Sequence, residues 1–147
     1  MSGTPFPGDP SEGHPVTMAE YRALAAFRRA LRAFLHFSEE AAKAAGLTPA
    51  QHQLLLAVKG ADPVGPPSIG DIAEALKLRH HSAVELVDRA VAGGLIARHA
   101  DPDDGRCQRL TLTPEGDAKL AGLAALHREE LRRLQEAVVH LSVLKDR

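Results

Sequence analysis

From Tyr21 onward, apolar residues recur at Leu24, Phe27, Leu31, Phe34 and Leu35, the three-to-four spacing that lines one face of a helix. Thr17 followed by Glu20 forms a capping box ahead of this stripe, and Gly46 can adopt the left-handed conformation that ends a helix. The pattern therefore predicts a helix from about residue 17 to Ala45. Roughly 28 residues at about 1.5 Å each make a rod of roughly 42 Å, longer than a domain of this size needs for its own packing. A partner subunit is the natural cover for the excess. Arg22, Arg28, Arg29 and Arg32 flank the stripe as a solvated face.

The start signal repeats at Thr48, Pro49 and Gln51, with Leu54, Leu55 and Val58 as the apolar face and Gly60 as the stop. A loop rich in Pro63, Gly65, Pro66 and Pro67 leads to Ser68, whose hydroxyl can cap a third helix carrying Ile69, Ile72, Ala73 and Leu76 inward. After a turn at Lys77, Leu78 and Arg79, a helix from about His80 to Ala92 turns Ala83, Val87, Ala90 and Val91 inward and breaks at Gly93 and Gly94. Two short helices across such a turn have the layout of a helix-turn-helix. Leu95 to His99 and Cys107 to Leu112 then alternate as strands around a polar tip, Ala100 to Arg106. Thr113 and Pro114 open a last long helix, in which Leu120, Ala124, His127, Leu131, Leu134, Val138 and Leu141 alternate four and three apart, the spacing of a helix-to-helix seam.

Composition narrows the class. Among 147 residues, 44% are apolar, yet the aromatics are only Phe6, Phe27, Phe34, Phe37 and Tyr21, so Leu, Ala and Val must do the packing, which favours helices. The 18 basic and 19 acidic side chains nearly cancel, so the total charge points to no partner. Pro5, Pro7, Pro10 and Pro15 among Gly3, Gly8 and Gly13 predict a disordered arm over residues 1–16. With no signal-peptide pattern, no apolar run of membrane length and a lone thiol at Cys107, the chain is expected to be cytoplasmic.

A helix-turn-helix offers the first exposed side chains of its second helix to base edges in the major groove, here His80, His81, Ser82, Val84 and Glu85. Histidine and serine can exchange hydrogen bonds with bases and phosphates, Glu85 can accept from a cytosine amino group, and the Val84 methyls can touch a thymine methyl. At the hairpin tip, Asp104 stands two residues before Arg106 and can hold its guanidinium outward toward a narrow minor groove. Arg109, Arg98, Arg89, Arg79 and Lys77 lie nearby in sequence; with Arg106 they face five acids, a local sum of +1, so positive potential depends on geometry.

The chain resembles the MarR family of bacterial regulators over about Leu24 to Leu134, in the stretches LTPAQHQLLLAV, IGDIAEALKL, HHSAVELVDRAVAGGLIAR and DPDDGRCQRLTLTPEG. The specific matches are Val87, Asp88 and Arg89; Gly94, Leu95 and Ile96; Asp104 and Arg106; and Leu112, Thr113 and Gly116. The resemblance implies a mainly α fold with a small β-hairpin wing: one domain over 17–147, with a winged helix-turn-helix at 47–113 and dimerisation helices at 17–46 and 114–147. It implies a homodimeric, DNA-binding transcription regulator, by family habit a repressor, acting on a pseudo-palindromic operator. Arg106 becomes the minor-groove arginine and Asp104 its orienting partner. Gly105 and Glu85 depart from the family by replacing residues that are basic or polar in many relatives, and Ala90 replaces a larger apolar one. Family members commonly respond to small phenolic ligands, for which His36, Phe37 and His52 are the candidate lining.

No catalytic motif appears, so no enzyme activity and no cofactor are expected. The histidines lack metal-ligand spacing, and no metal is expected. A redox role for Cys107 is set against its reading as a packed strand residue, since cysteines of the hydroperoxide-sensing branch lie near the N-terminus. His127, on the apolar seam, reads as a core histidine whose protonation could make a dimer sensitive to acid. The alternative of another class is a winged-helix module for protein contacts that has lost DNA binding.

Overall fold

The computed structural model describes residues 13–61 and 65–144. Most of the expected N-terminal arm, residues 1–12, lies outside them, as do Pro63 and the last three residues. The elements are α1 (Met18–Ala44), α2 (Pro49–Lys59), α3 (Ile69–Ala75), α4 (His80–Ala92), β1 (Ile96–Ala100), β2 (Gln108–Leu112) and α5 (Pro114–Val139), followed by a 3₁₀ turn at His140–Leu144. The fold is thus mainly α with one antiparallel hairpin, as expected.

Side-chain caps set where the helices begin. Thr17 Oγ1 accepts from the Glu20 N–H at 3.2 Å, and Thr48 and Gln51 form a reciprocal box at 3.1 and 3.0 Å. Ser68 and Asp71 form a second full box, at 3.1 and 2.9 Å. Thr113 Oγ1 accepts from the Gly116 N–H at 3.1 Å and donates to the Gly94 carbonyl at 2.5 Å, tying the start of α5 to the end of α4. Gly116 is required there, because a Cβ would fall 2.1 Å from the Leu95 carbonyl oxygen.

The chain divides into two compact units, residues 36–129 and residues 1–35 with 130–147. In the first, α2, α3, α4, the hairpin and the first half of α5 enclose a core whose fully buried side chains include Leu54, Leu55, Ile72, Val87, Ile96, Leu110 and Leu123. The hairpin pairs Ile96 with Leu112 through Ala100 with Gln108, and the segment before α3 joins its edge through a Ser68–Arg109 bridge and a 2.9 Å bond from the Leu110 N–H to the Pro67 carbonyl. The second unit exposes Met18, Tyr21, Leu24, Leu131 and Val138.

Two expectations shift. The strands start one residue later than the alternation suggests, because the Leu95 N–H closes α4 by bonding Ala90 O at 2.9 Å and Cys107 closes the hairpin tip through a 3.0 Å bond to Asp104 O. Cys107 is therefore a half-buried turn residue rather than a packed strand residue. On α5, the buried residues are Gly116, Leu120, Leu123 and His127, while Ala124 is exposed, since the packed face turns by one residue toward the core. Leu134 is half-buried, and Leu141 lies in the 3₁₀ turn rather than the helix.

Candidate nucleic-acid interface

α3 and α4 are joined by a tight reversal in which Lys77 takes φ 56°, the Lys77 N–H bonds Glu74 O at 3.2 Å and the Leu78 N–H bonds Ala73 O at 2.8 Å. α4 then buries Ala83, Val87 and Ala90 completely, which fixes the opposite face outward. His80, His81, Glu85 and Arg89 are exposed on it; Ser82 and Val84 are half-buried and offer only part of their surface.

At the hairpin tip, Asp101 Oδ1 accepts from the Asp103 N–H at 2.8 Å and Asp104 Oδ1 from the Arg106 N–H at 3.0 Å. Asp104 therefore orients Arg106 by its backbone, not by its guanidinium as the spacing suggested, because a carboxylate two residues upstream meets the main-chain N–H first. Among the described residues the Arg106 guanidinium makes no ion pair, and its side chain is exposed. His80, Arg106 and Asp104 line one cleft of about 360 Å³ with Ser68 and Gln108, so the structure brings the head of α4 and the wing tip together.

Arg98 and Arg109, expected to lend positive potential, are engaged within the protein. Arg98 Nη2 pairs with Asp88 of α4. Arg109 donates from Nε to Asp101 Oδ2 at 2.9 Å, with Nη2 at the same distance, and from Nη1 to the Pro66 carbonyl at 3.4 Å; Nη1 also lies 3.7 Å from Asp71 Oδ2. The Asp103 N–H and then Arg109 hold the Asp101 carboxyl below its ordinary pKa, and the bond from Arg109 to Asp101 raises the guanidinium above its own. The Ser68 N–H and hydroxyl, with Arg109, lower Asp71.

The three residues proposed to line a ligand site part company. His36 is exposed, while Phe37 and His52 both pack on His127, with ring centroids 5.3 and 5.2 Å away. His127 Nδ1 lies 2.6 Å from the Leu123 carbonyl, which can only accept, so Nδ1 carries the hydrogen. The apolar stripe marks His127 as a core residue, and the sign that joins it to Phe37 and His52 is its place on the buried face of α5, seven residues after Leu120. Burial, and then the neighbouring His127, lower the His52 pKa. Among the described residues no group of three or more His, Cys, Asp or Glu side chains is placed to hold a metal ion, and no helix is long and apolar enough to cross a membrane.

Residues 45–106 match the sequence model of the MarR family. No curated protein matches the whole sequence significantly. Among solved structures, the chain is similar to a MarR family transcription regulator, with 24% identity over 85% of this chain and 82% of that one and a TM-score of 0.68. It is similar to a mutant MarR from E. coli complexed with operator DNA, with 19% identity, 80% and 86% coverage and a TM-score of 0.65. It is likewise similar to the S. aureus MepR–DNA complex, with 20% identity, 83% and 85% coverage and a TM-score of 0.64.

Proposed function

From the premise that this chain carries a MarR-family winged helix-turn-helix within a fold of that type, we propose that it is a transcription regulator that binds double-stranded operator DNA as a homodimer. The observation that carries this reading is the pairing of an exposed polar face on α4 with an unpaired arginine at the wing tip, both opening on one cleft. The side chains of α4 suit base edges in the major groove, and a guanidinium without an internal partner suits the electronegative minor groove beside it. The E. coli MarR and S. aureus MepR structures with DNA support the same reading by their fold.

The finer assignments are part of the proposal. Residues 17–46 and 114–147 pair two subunits, residues 47–113 read DNA, and the protein acts in the cytoplasm without catalysis. Binding represses transcription, and a small aromatic ligand near Phe37 and His52 releases it. His80, His81 and Glu85 read bases, with Ser82 and Val84 as closer-set contributors and Arg89 at the backbone. A mobility-shift titration with DNA from beside the protein's own gene tests the reading. Arg106→Ala should weaken binding roughly 5- to 100-fold and reduce the slope of affinity against salt by about one. Unchanged affinity and slope would instead favour a winged helix used for protein contacts.

A further inference from the structure

Arg109 lies in β2 opposite His99, and its backbone bridges to Ser68 on the other side. One guanidinium thereby meets three separate stretches of chain: Asp101 at the end of the hairpin arm, the Pro66 carbonyl in the approach to α3, and Asp71 in the first turn of α3. Each acid has a second task. Asp101 uses its other oxygen to hold the Asp103 N–H in the wing tip, and Asp71 Oδ2 also accepts the Ser68 N–H in the cap of α3. The backbone of Asp101 is tied in as well, since its N–H donates to the Cys107 carbonyl at 3.0 Å, beside Arg106.

We propose that Arg109 is a positioning residue that braces the wing against the head of α3 and so sets where Arg106 meets the duplex. The inference rests on the DNA-binding reading above, and it assigns to Arg109 a role other than a direct phosphate contact. A phosphate would have to compete with a two-nitrogen contact to Asp101 already in place. The planar fork is essential to the brace, because a lysine supplies a point charge and cannot meet three acceptors at fixed angles.

The two roles differ in sign at Asp101. Removing a carboxylate near DNA strengthens binding if only charge matters, whereas removing the anchor of the wing weakens it. Asp101→Asn keeps an oxygen for the Asp103 N–H, and Arg109→Lys keeps the charge, so both variants leave the fold and its local turn intact. With an operator fragment, each should bind roughly 5- to 20-fold more weakly than the unaltered protein. Arg106→Ala combined with Arg109→Lys should lose no more than Arg106→Ala alone, since a brace has no effect once the residue it aims is gone. Without DNA, amide exchange at Asp103, Arg106 and Cys107 should quicken in both single variants. Tighter or unchanged binding by Asp101→Asn, full affinity in Arg109→Lys, multiplying losses in the double variant, or unaltered exchange each overturns the brace. If the unaltered protein ignores the fragment, the function itself is overturned, and the exchange measurement still decides whether Arg109 restrains the wing.

Discussion

At His52 the energy of a proton is set by what surrounds the ring. The side chain is buried between helices, and its neighbour at 5.2 Å is another imidazole, so burial and then like charge disfavour the protonated form. The folded pKa lies below that of the unfolded chain, so as pH falls through about 6.5 the unfolded state takes up a proton that the folded state refuses, and stability declines. The midpoint of urea unfolding should therefore fall from about pH 7.5 to about 5.5, and the fall should shrink in His52→Leu. Asp71 and Asp101 act in a separate window, since their lowered pKa values lend stability above the carboxylate range that is lost only in stronger acid. The candidate reading residues of α4 were visible from their place in a periodic pattern. The engagement of Arg98 and Arg109 was not, because their partners stand ten and eight positions away: Asp88 meets Arg98 only when β1 packs on α4, and Asp101 meets Arg109 only when the hairpin closes.

Among the elements, caps and breakers carried most of the information. The boxes at Thr48 and Gln51 and the Thr113–Pro114 start act within four residues, so local sequence suffices to place α2 and the head of α5. The end of α3 uses the same hydrogen-bond pattern as the end of α4, but Lys77 occupies the left-handed position that Gly94 fills in the latter, at φ 56° against 74°. An L side chain is strained in that conformation, so Lys77→Gly should raise the unfolding free energy by up to about 1 kcal/mol after glycine's larger unfolded-state entropy is counted, and the urea midpoint with it. An equal or lower midpoint in a urea titration would show that Lys77 compensates through its own contacts. The stripe of α5 was legible as helical but not in its rotation: Leu123 and Ala124 are both apolar, and which one is buried depends on the neighbour that the helix meets.

For the whole molecule, exposed apolar side chains ask for a cover. In the unit formed by residues 1–35 and 130–147, Met18, Tyr21 and Leu24 on α1 and Leu131 and Val138 on α5 are 42% to 63% exposed, more apolar surface than a single subunit usually leaves to water. The homodimer proposed above covers it with the same residues of a second copy. Leu131→Asp should then convert the protein from dimer to monomer in sedimentation at micromolar concentration, and operator affinity should fall at least about ten-fold as two half-sites are no longer bound together. A dimer of undiminished stability would place the interface elsewhere.

The sequence by itself determined the five helices and two strands, most of their caps, the winged helix-turn-helix order and the exposed start of α4, because each follows from periodicity and hydrogen bonds spanning a few residues. Only the tertiary structure decided that Asp104 holds the Arg106 backbone, that Arg98 and Arg109 are spent on internal acids, and that His127 joins Phe37 and His52. The Asp104 bond spans two residues, and only the closed tip decides that the main-chain N–H takes it. The other meetings join residues on different elements, and their energy exists only after the chain has closed its loops, so no spacing along the chain encodes which charge will find which partner.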